Sequence, residues 1–223
     1  SPQQRLHVGG DVEIGFASPT DAARQIIFDA NRGSAGATIA NINWQWNSTN
    51  VAQIRGIAGD DTTNKDDAHL AFFTAASGSA LERLRITSTG GLHLNNAELM
   101  ERVNITAGKL SDNQNINLDN GMAHLFTTTE TTTSTPNIIS TAGINTNMAT
   151  GDVLSVSIIT TTAAAAYSER IKIDGLLTGI TTSWNGGSAP SAGGASGKDF
   201  YSYTIIKTGD AAFTVLGNLS NFA

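Results

Sequence analysis

Arg83-Leu-Arg-Ile-Thr-Ser-Thr-Gly-Gly-Leu-His-Leu94 decides how the chain is read. Apolar side chains fall at every second position: Leu84 and Ile86 before the Gly90-Gly91 pair, Leu92 and Leu94 after it. A period of two belongs to a strand with one face covered. A glycine pair between two such runs marks a turn. Residues 81–86 and 91–94 are therefore read as half-buried strands. The same alternation places Leu6, Val8, Val12 and Ile14 on one face of residues 5–14, and Ile42, Trp44 and Trp46 on one face of residues 38–46. Arg5-Leu-His-Val-Gly-Gly-Asp-Val is a weak echo of the opening stretch. Two copies about one module apart do not make a solenoid.

Helix signals are scarce. Residues 95–103 carry Asn95 or Asn96 as a cap and one apolar pair, Leu99 and Val103. Nine residues are marginal for a helix, so this stretch is read as a helical turn or irregular junction.

From about Val103 the chain carries more Thr and fewer charges. Expected strands are residues 103–105, 116–118, 124–128, 153–161, 169–173, 180–184, 200–207 and 212–216. Residues 186–197 hold five glycines and Pro190 and are read as a long loop. Short strands with turns every ten residues or so suggest an antiparallel sandwich. The chain is thus expected to be all-β: an N-terminal β module over residues 1–95, a junction over 96–102, and an antiparallel β-sandwich over 103–223.

Composition narrows the function classes. Charged residues make up 14% of the 223, against about 25% in ordinary soluble domains. Thr, Ser, Asn and Gly fill the polar positions, which suits an extracellular β structure. The net charge of −6 and 13 scattered Lys and Arg disfavour nucleic acid, which calls for a basic stripe. The absence of Cys removes disulfides, thiolate zinc sites and Cys nucleophiles. Residues 153–167, the most apolar run, are interrupted by Ser155, Ser157 and Thr160–Thr162, so no membrane insertion is expected. With Ser1 in place of an initiator Met, the chain is expected to be a fragment or processed product.

No catalytic arrangement stands out: no Gly-x-Ser-x-Gly elbow is followed by an acid and a His. Gly193-Gly-Ala-Ser-Gly-Lys-Asp departs from a phosphate loop at Ala192 and Asp199. Asp60, Asp61 and Asp66 are the candidate metal ligands within the densest acidic patch, residues 60–67. Their order does not fit an EF-hand; a solvated hairpin turn is the favoured reading, and no cofactor is expected. His7 and His93 occupy matching places near the glycine turns, where a three-fold axis would bring three imidazoles together. Trp44 and Trp46 read as an aromatic cluster in an oligomer core or as a sugar-stacking platform. Trp184, beside Asn185 and the glycine-rich loop, reads equally as a core residue closing the sandwich or as a carbohydrate contact. Asn185, Ser188, Lys198 and Tyr201 complete the candidate receptor-contact set.

The opening stretch resembles the Glu-Arg-x-Arg-Ile-(Ser/Asp)-Ser-x-Gly-x-(Val/Leu) motif that ends repeat units in tail fibres of marine bacteriophages. Ala68-His-Leu-Ala-Phe-Phe-Thr-Ala-Ala-Ser-Gly and Arg55-Gly-Ile-Ala-Gly-Asp are similar to the strands that precede it. Val103-Asn-Ile-Thr-Ala-Gly-Lys-Leu, Asn115-Ile-Asn-Leu-Asp-Asn-Gly, Trp184-Asn-Gly-Gly-Ser-Ala-Pro and Tyr201-Ser-Tyr-Thr-Ile-Ile-Lys-Thr are similar to the C-terminal domain of cyanophage fibre and virion structural proteins. The resemblance implies a homotrimer in the virion tail, extracellular when acting, with the C-terminal domain at or near the distal tip. Implied partners are other tail proteins and a host surface polysaccharide or protein. Many fibres with the first-half motif end in a self-cleaving chaperone domain. Nothing after Thr208 resembles it, and that activity is not carried over. The expectation is a non-enzymatic, adhesive fibre; a decoration or collar fibre and a polysaccharide depolymerase are the alternatives.

Overall fold

The computed structural model describes residues 26–223. The strand expected over residues 5–14, and His7 with it, lies outside them. The chain divides into two units, one up to Leu99 and the other from Met100 on. Between the last strand of the first and the first strand of the second, residues 95–102 adopt no helix; this is the irregular junction. No helix among the described residues is long and apolar enough to cross a membrane.

The first unit is an antiparallel meander: β1 (Thr38–Trp46), β2 (Thr49–Ala58), β3 (Ala68–Thr74), β4 (Leu81–Ile86) and β5 (Leu92–Leu94) lie side by side in chain order. The first and last connections have a local cause. Asn47 and Ser48 both take positive φ, 47° and 65°, the geometry of a two-residue turn whose twist matches its strands. Gly90 at φ 86° closes the turn between β4 and β5, with Thr87 and Gly91 bonded across it (2.9 Å). The opening stretch therefore forms the hairpin that its alternation predicts.

The second unit holds two sheets. In chain order its elements are β6 (Val103–Thr106), β7 (Asn115–Asn117), β8 (Ala123–Thr129), β9 (Asn137–Ile139), the one-turn helix α1 (Ile144–Asn147), β10 (Val153–Thr161), β11 (Lys172–Ile173), β12 (Ile180–Trp184), β13 (Lys198–Gly209) and β14 (Ala212–Phe222). Six strands form one sheet in the order β12-β14-β13-β10-β8-β6; three form the other, β11-β9-β7. One core lies between them. Val156, Ile158, Tyr201, Tyr203 and Ile205 face Ile116, Ile138 and Ile173 across it.

The all-β expectation and the two-sheet core hold. Strand direction does not follow the antiparallel expectation throughout. Only β10-β13-β14 pair antiparallel. The β6–β8, β8–β10 and β12–β14 pairs are parallel, as is the whole small sheet. Parallel neighbours need a crossover where a hairpin would do for antiparallel ones. Even turn spacing does not tell one from the other. The strand expected over residues 169–173 shortens to Lys172–Ile173.

Two buried charges, Glu130 and Lys207, and the half-buried Asp174 pin the connecting segments. The Glu130 carboxylate accepts from the Leu110 and Ser111 amides (2.6 and 3.1 Å). Asp174 accepts from the Ile144 and Asn145 amides, 2.9 Å each, at the start of α1. Lys207 donates to the Met148 carbonyl (2.8 Å) just past its end. These bonds satisfy terminal backbone groups of a helix too short to be stable alone.

Candidate functional site

Cross-strand register sorts the side chains of the first unit into two unlike faces. Ile42, Ile54, Phe72, Leu84 and Leu94 are directly opposed from strand to strand, one from each of the five. Leu70, Ile86 and Leu92 form the next row on that face, and Trp44 with Trp46 extends it along β1. The opposite face carries Asn43, Gln53, Arg55, Glu82 and Arg85. There the Arg55 guanidinium lies 4.2 Å from the centre of the Phe73 ring, and Arg85 grips Glu82 through two bonds (2.9 and 2.6 Å). That grip holds the Glu82 carboxyl below its usual range.

Burial runs against polarity. Gln53 and Ala71 on the polar face are buried, whereas Trp46 is 79% and Leu92 69% exposed. Ile42, Trp44, Leu70 and Leu94 are exposed as well. Monomeric soluble proteins rarely leave a contiguous apolar face of this kind open to water.

In the second unit the receptor-contact candidates separate. Tyr201 is a correction: it is 1% exposed and sits in the core, so it has no surface to offer. Its place on β13 between Phe200 and Ser202 turns it inward by alternation. Trp184 is half-buried. Its indole Nε1 donates to the Glu169 carbonyl (2.9 Å), its ring lies against Gly217, and it meets Tyr203 edge-on at 5.8 Å. Most of this residue therefore closes the end of the sandwich. What remains forms part of the wall of an open cleft of about 580 Å³, together with Glu169, Arg170, Leu177, Thr182 and Gly187. Asn185 and Ser188 are exposed in the loop beside it. Lys198 is elsewhere: it pairs with Phe222, five residues along β13 from Tyr203, and Tyr203 pairs with the Gly217 that Trp184 covers. Five strand residues span about 17 Å. The Lys198 ammonium is taken up by the Thr161 hydroxyl.

The sequence reading missed Glu169, Arg170 and Leu177. They come from segments before β12 and carry no motif; the bond from the Trp184 indole to the Glu169 carbonyl and the shared cleft wall bring them to Trp184 only in the folded chain.

The glycine-rich loop is tied down near its C-terminal end, where the Gly193 amide donates to the Ala164 carbonyl (3.1 Å) and the Thr162 amide to the Gly197 carbonyl (3.2 Å). The Gly194 amide and the Asn221 side-chain amide both donate to the fully buried Asp199 carboxylate (2.9 and 2.5 Å). A Cβ on Gly193 would lie 2.6–2.7 Å from the Ala166 and Ala163 carbonyl oxygens. A carboxylate holds the amide that a phosphate would take, and a strand follows where a phosphate loop needs a helix.

The acidic patch is a turn. Asp61 accepts from the Thr63 and Asn64 amides (2.8 and 2.9 Å), which hold its carboxyl below its ordinary range. Asp67 accepts from the Asp60 and Asp61 amides (2.8 and 3.1 Å). Asp60, Asp61 and Asp66 do not converge; among the described residues no group of three or more acids and histidines is placed to hold a metal. His69 accepts from the Ser88 amide (3.1 Å). His124 is buried, its Nε2 3.0 Å from the Gly121 carbonyl and its Nδ1 3.2 Å from the Asn104 side-chain amide.

No protein-family model matches the chain, and no curated protein matches it.

Proposed function

We propose that the chain is a structural, adhesive module of a bacteriophage tail fibre that acts as a homotrimer, with the first unit as trimerising shaft and the second as the part that meets the host surface. The observation that carries this reading is the exposed apolar face of the β1–β5 sheet. Burying an Ile, Leu or Phe side chain stabilises by about 1.5–3 kcal/mol, and a row that crosses every strand offers that gain many times over. A chain can always meet its own copies, and obligate interfaces resemble a core divided between subunits. The low charge and the Thr- and Ser-rich surface of the second unit suit work outside a cell, and the likeness of its motifs to cyanophage fibre domains supplies the biological setting.

The test has two parts. Light scattering and native mass spectrometry of the purified chain are expected to give three copies per particle, and a monodisperse monomer overturns the trimer. Pre-incubating host cells with the purified protein is expected to block phage adsorption. Failure to compete, with the protein located on the tail, leaves a non-adhesive fibre.

A further inference from the structure

The sequence contains two Asn-Gly pairs, Asn120-Gly121 and Asn185-Gly186. In such a pair the glycine nitrogen can reach the side-chain carbonyl carbon of the asparagine, because no Cβ obstructs the approach and the glycine backbone turns freely. Reaction then depends on how firmly that backbone is held.

Asn120-Gly121 is held at its glycine, although the Asn120 side chain is exposed. The Gly121 amide donates to the Leu118 carbonyl (3.1 Å), and the Gly121 carbonyl lies 3.0 Å from Nε2 of the buried His124. The Cβ position of Gly121 is 2.7 Å from the Arg102 carbonyl oxygen. Asn185-Gly186 is open. It lies in a single 3-10 turn, residues Asn185–Gly187, broken by Gly186 at φ 79°. Nothing lies within 4 Å of the Cβ position of Gly186 or Gly187. Asn185 is exposed, and its side-chain amide donates to Asn218 Oδ1 at 3.1 Å.

We infer that Asn185 is a site of spontaneous deamidation that converts an uncharged surface cleft into an acidic one. The Gly186 nitrogen gives up its proton to solvent base and bonds to the Asn185 side-chain carbonyl carbon. The bond from that carbon to Nδ2 breaks, and Nδ2 takes a proton from water and leaves as ammonia. Water then opens the five-membered imide at either carbonyl. One opening yields aspartate; the other yields isoaspartate, with the chain rerouted through the side chain.

The position gives the reaction a consequence. Asn185 lines a cleft of about 350 Å³ with Ser183, Ser202, Thr204 and Asn218, and no ionisable side chain lines it. Deamidation places the first carboxylate there and removes the amide that donates to Asn218. Isoaspartate also adds a backbone carbon directly after Trp184, the residue that borders this cleft and the larger one. The effect on host contact rests on the adhesive reading; the chemistry does not.

Peptide mass mapping of the intact protein, held in mildly alkaline buffer and sampled over time, tests the inference. Asn185 is expected to show the asparagine-to-aspartate mass step at least about tenfold faster than Asn120, with both aspartate and isoaspartate peptides present. Equal rates at the two pairs, or an unchanged Asn185, overturn it. Asn185→Gln is expected to abolish the step at that position, and persistence of the step in that variant also overturns the assignment. Asn185→Asp mimics one product and is expected to change the strength with which the protein blocks adsorption. If the unmodified protein blocks nothing, the adhesive reading falls, while the mass step still decides the deamidation.

Discussion

Tyr201 and Tyr203 lie on the same face of β13 with rings parallel to within 6° and centroids 6.3 Å apart, yet only one hydroxyl is bonded. The buried Ser168 amide donates to the Tyr201 hydroxyl at 3.1 Å, and the Tyr203 hydroxyl has no protein partner. Burial pushes both hydroxyls well above their ordinary range, so both stay protonated. Tyr201→Phe leaves the Ser168 amide unpaired and is expected to cost about 1–3 kcal/mol. Tyr203→Phe removes a stranded hydroxyl and is expected to leave stability unchanged or raise it by about 1 kcal/mol. Urea unfolding of the two variants checks this; equal losses would mean that the Ser168 bond contributes nothing specific.

Asp199→Ala strips the acceptor from the Gly194 amide and the Asn221 side chain at once. The expected cost is about 1–3 kcal/mol, since the buried Gly194 amide loses its partner while the exposed Asn221 amide can turn to water. Limited proteolysis is expected to cut within residues 186–197 in the variant before it cuts the wild type. A variant as resistant as wild type shows that the loop is held elsewhere.

His124 ties stability to pH. Its Nε2–H donates to the Gly121 carbonyl and its Nδ1 accepts from the Asn104 amide, so the neutral ring is satisfied and a second proton would face a donor. Burial, the leading cause, lowers its pKa below the ordinary 6.5. The unfolded chain therefore takes up the proton first. The neutral ring's contribution is intact above about pH 6.5 and is lost as pH falls from there through the folded-state value. In His124→Gln, the slope of unfolding free energy against pH is expected to flatten in that interval; an unchanged slope assigns it to other groups.

Leu92→Glu and Leu94→Glu change side chains that are exposed within one protomer. Each is expected to alter protomer stability by less than about 0.5 kcal/mol, as surface substitutions do. Together they are expected to abolish the proposed trimer, because like charges would meet where that assembly would bring the apolar rows together. Sedimentation with circular dichroism separates the outcomes: a folded, dissociated chain supports the interface, and a folded trimer places it on another surface.

What the sequence made legible follows from the range of the signal. Alternation found β1, β4, β10 and β12 with their observed bounds, since period two is a property of neighbours. It could not separate parallel from antiparallel partners, because the β12–β14 pairing depends on where β13 intervenes. Nor could it assign Tyr201 to core or surface, since alternation in residues 200–207 offers apolar or aromatic side chains on both faces: Tyr201, Tyr203 and Ile205 on one, Phe200 and Ile206 on the other. The pairs that close the fold, Asp199 with Gly194 and Glu130 with Leu110, join residues whose types are unremarkable and whose meeting depends on the tertiary path.

The two-residue turn at Asn47-Ser48 and the meander it starts also bear on assembly kinetics. Every pairing in β1–β5 is with the next strand in the chain, so this sheet can form quickly, before slower long-range closures elsewhere. It then displays its apolar face and the nine-residue strand β1, an edge of the sheet among the described residues, from the moment it folds. An apolar face beside a strand edge is the template on which chains aggregate. Formation of the proposed trimer would therefore be a race against that side reaction. Its yield should depend on how many sister chains are made at the same place and time, more than on the stability of any one of them.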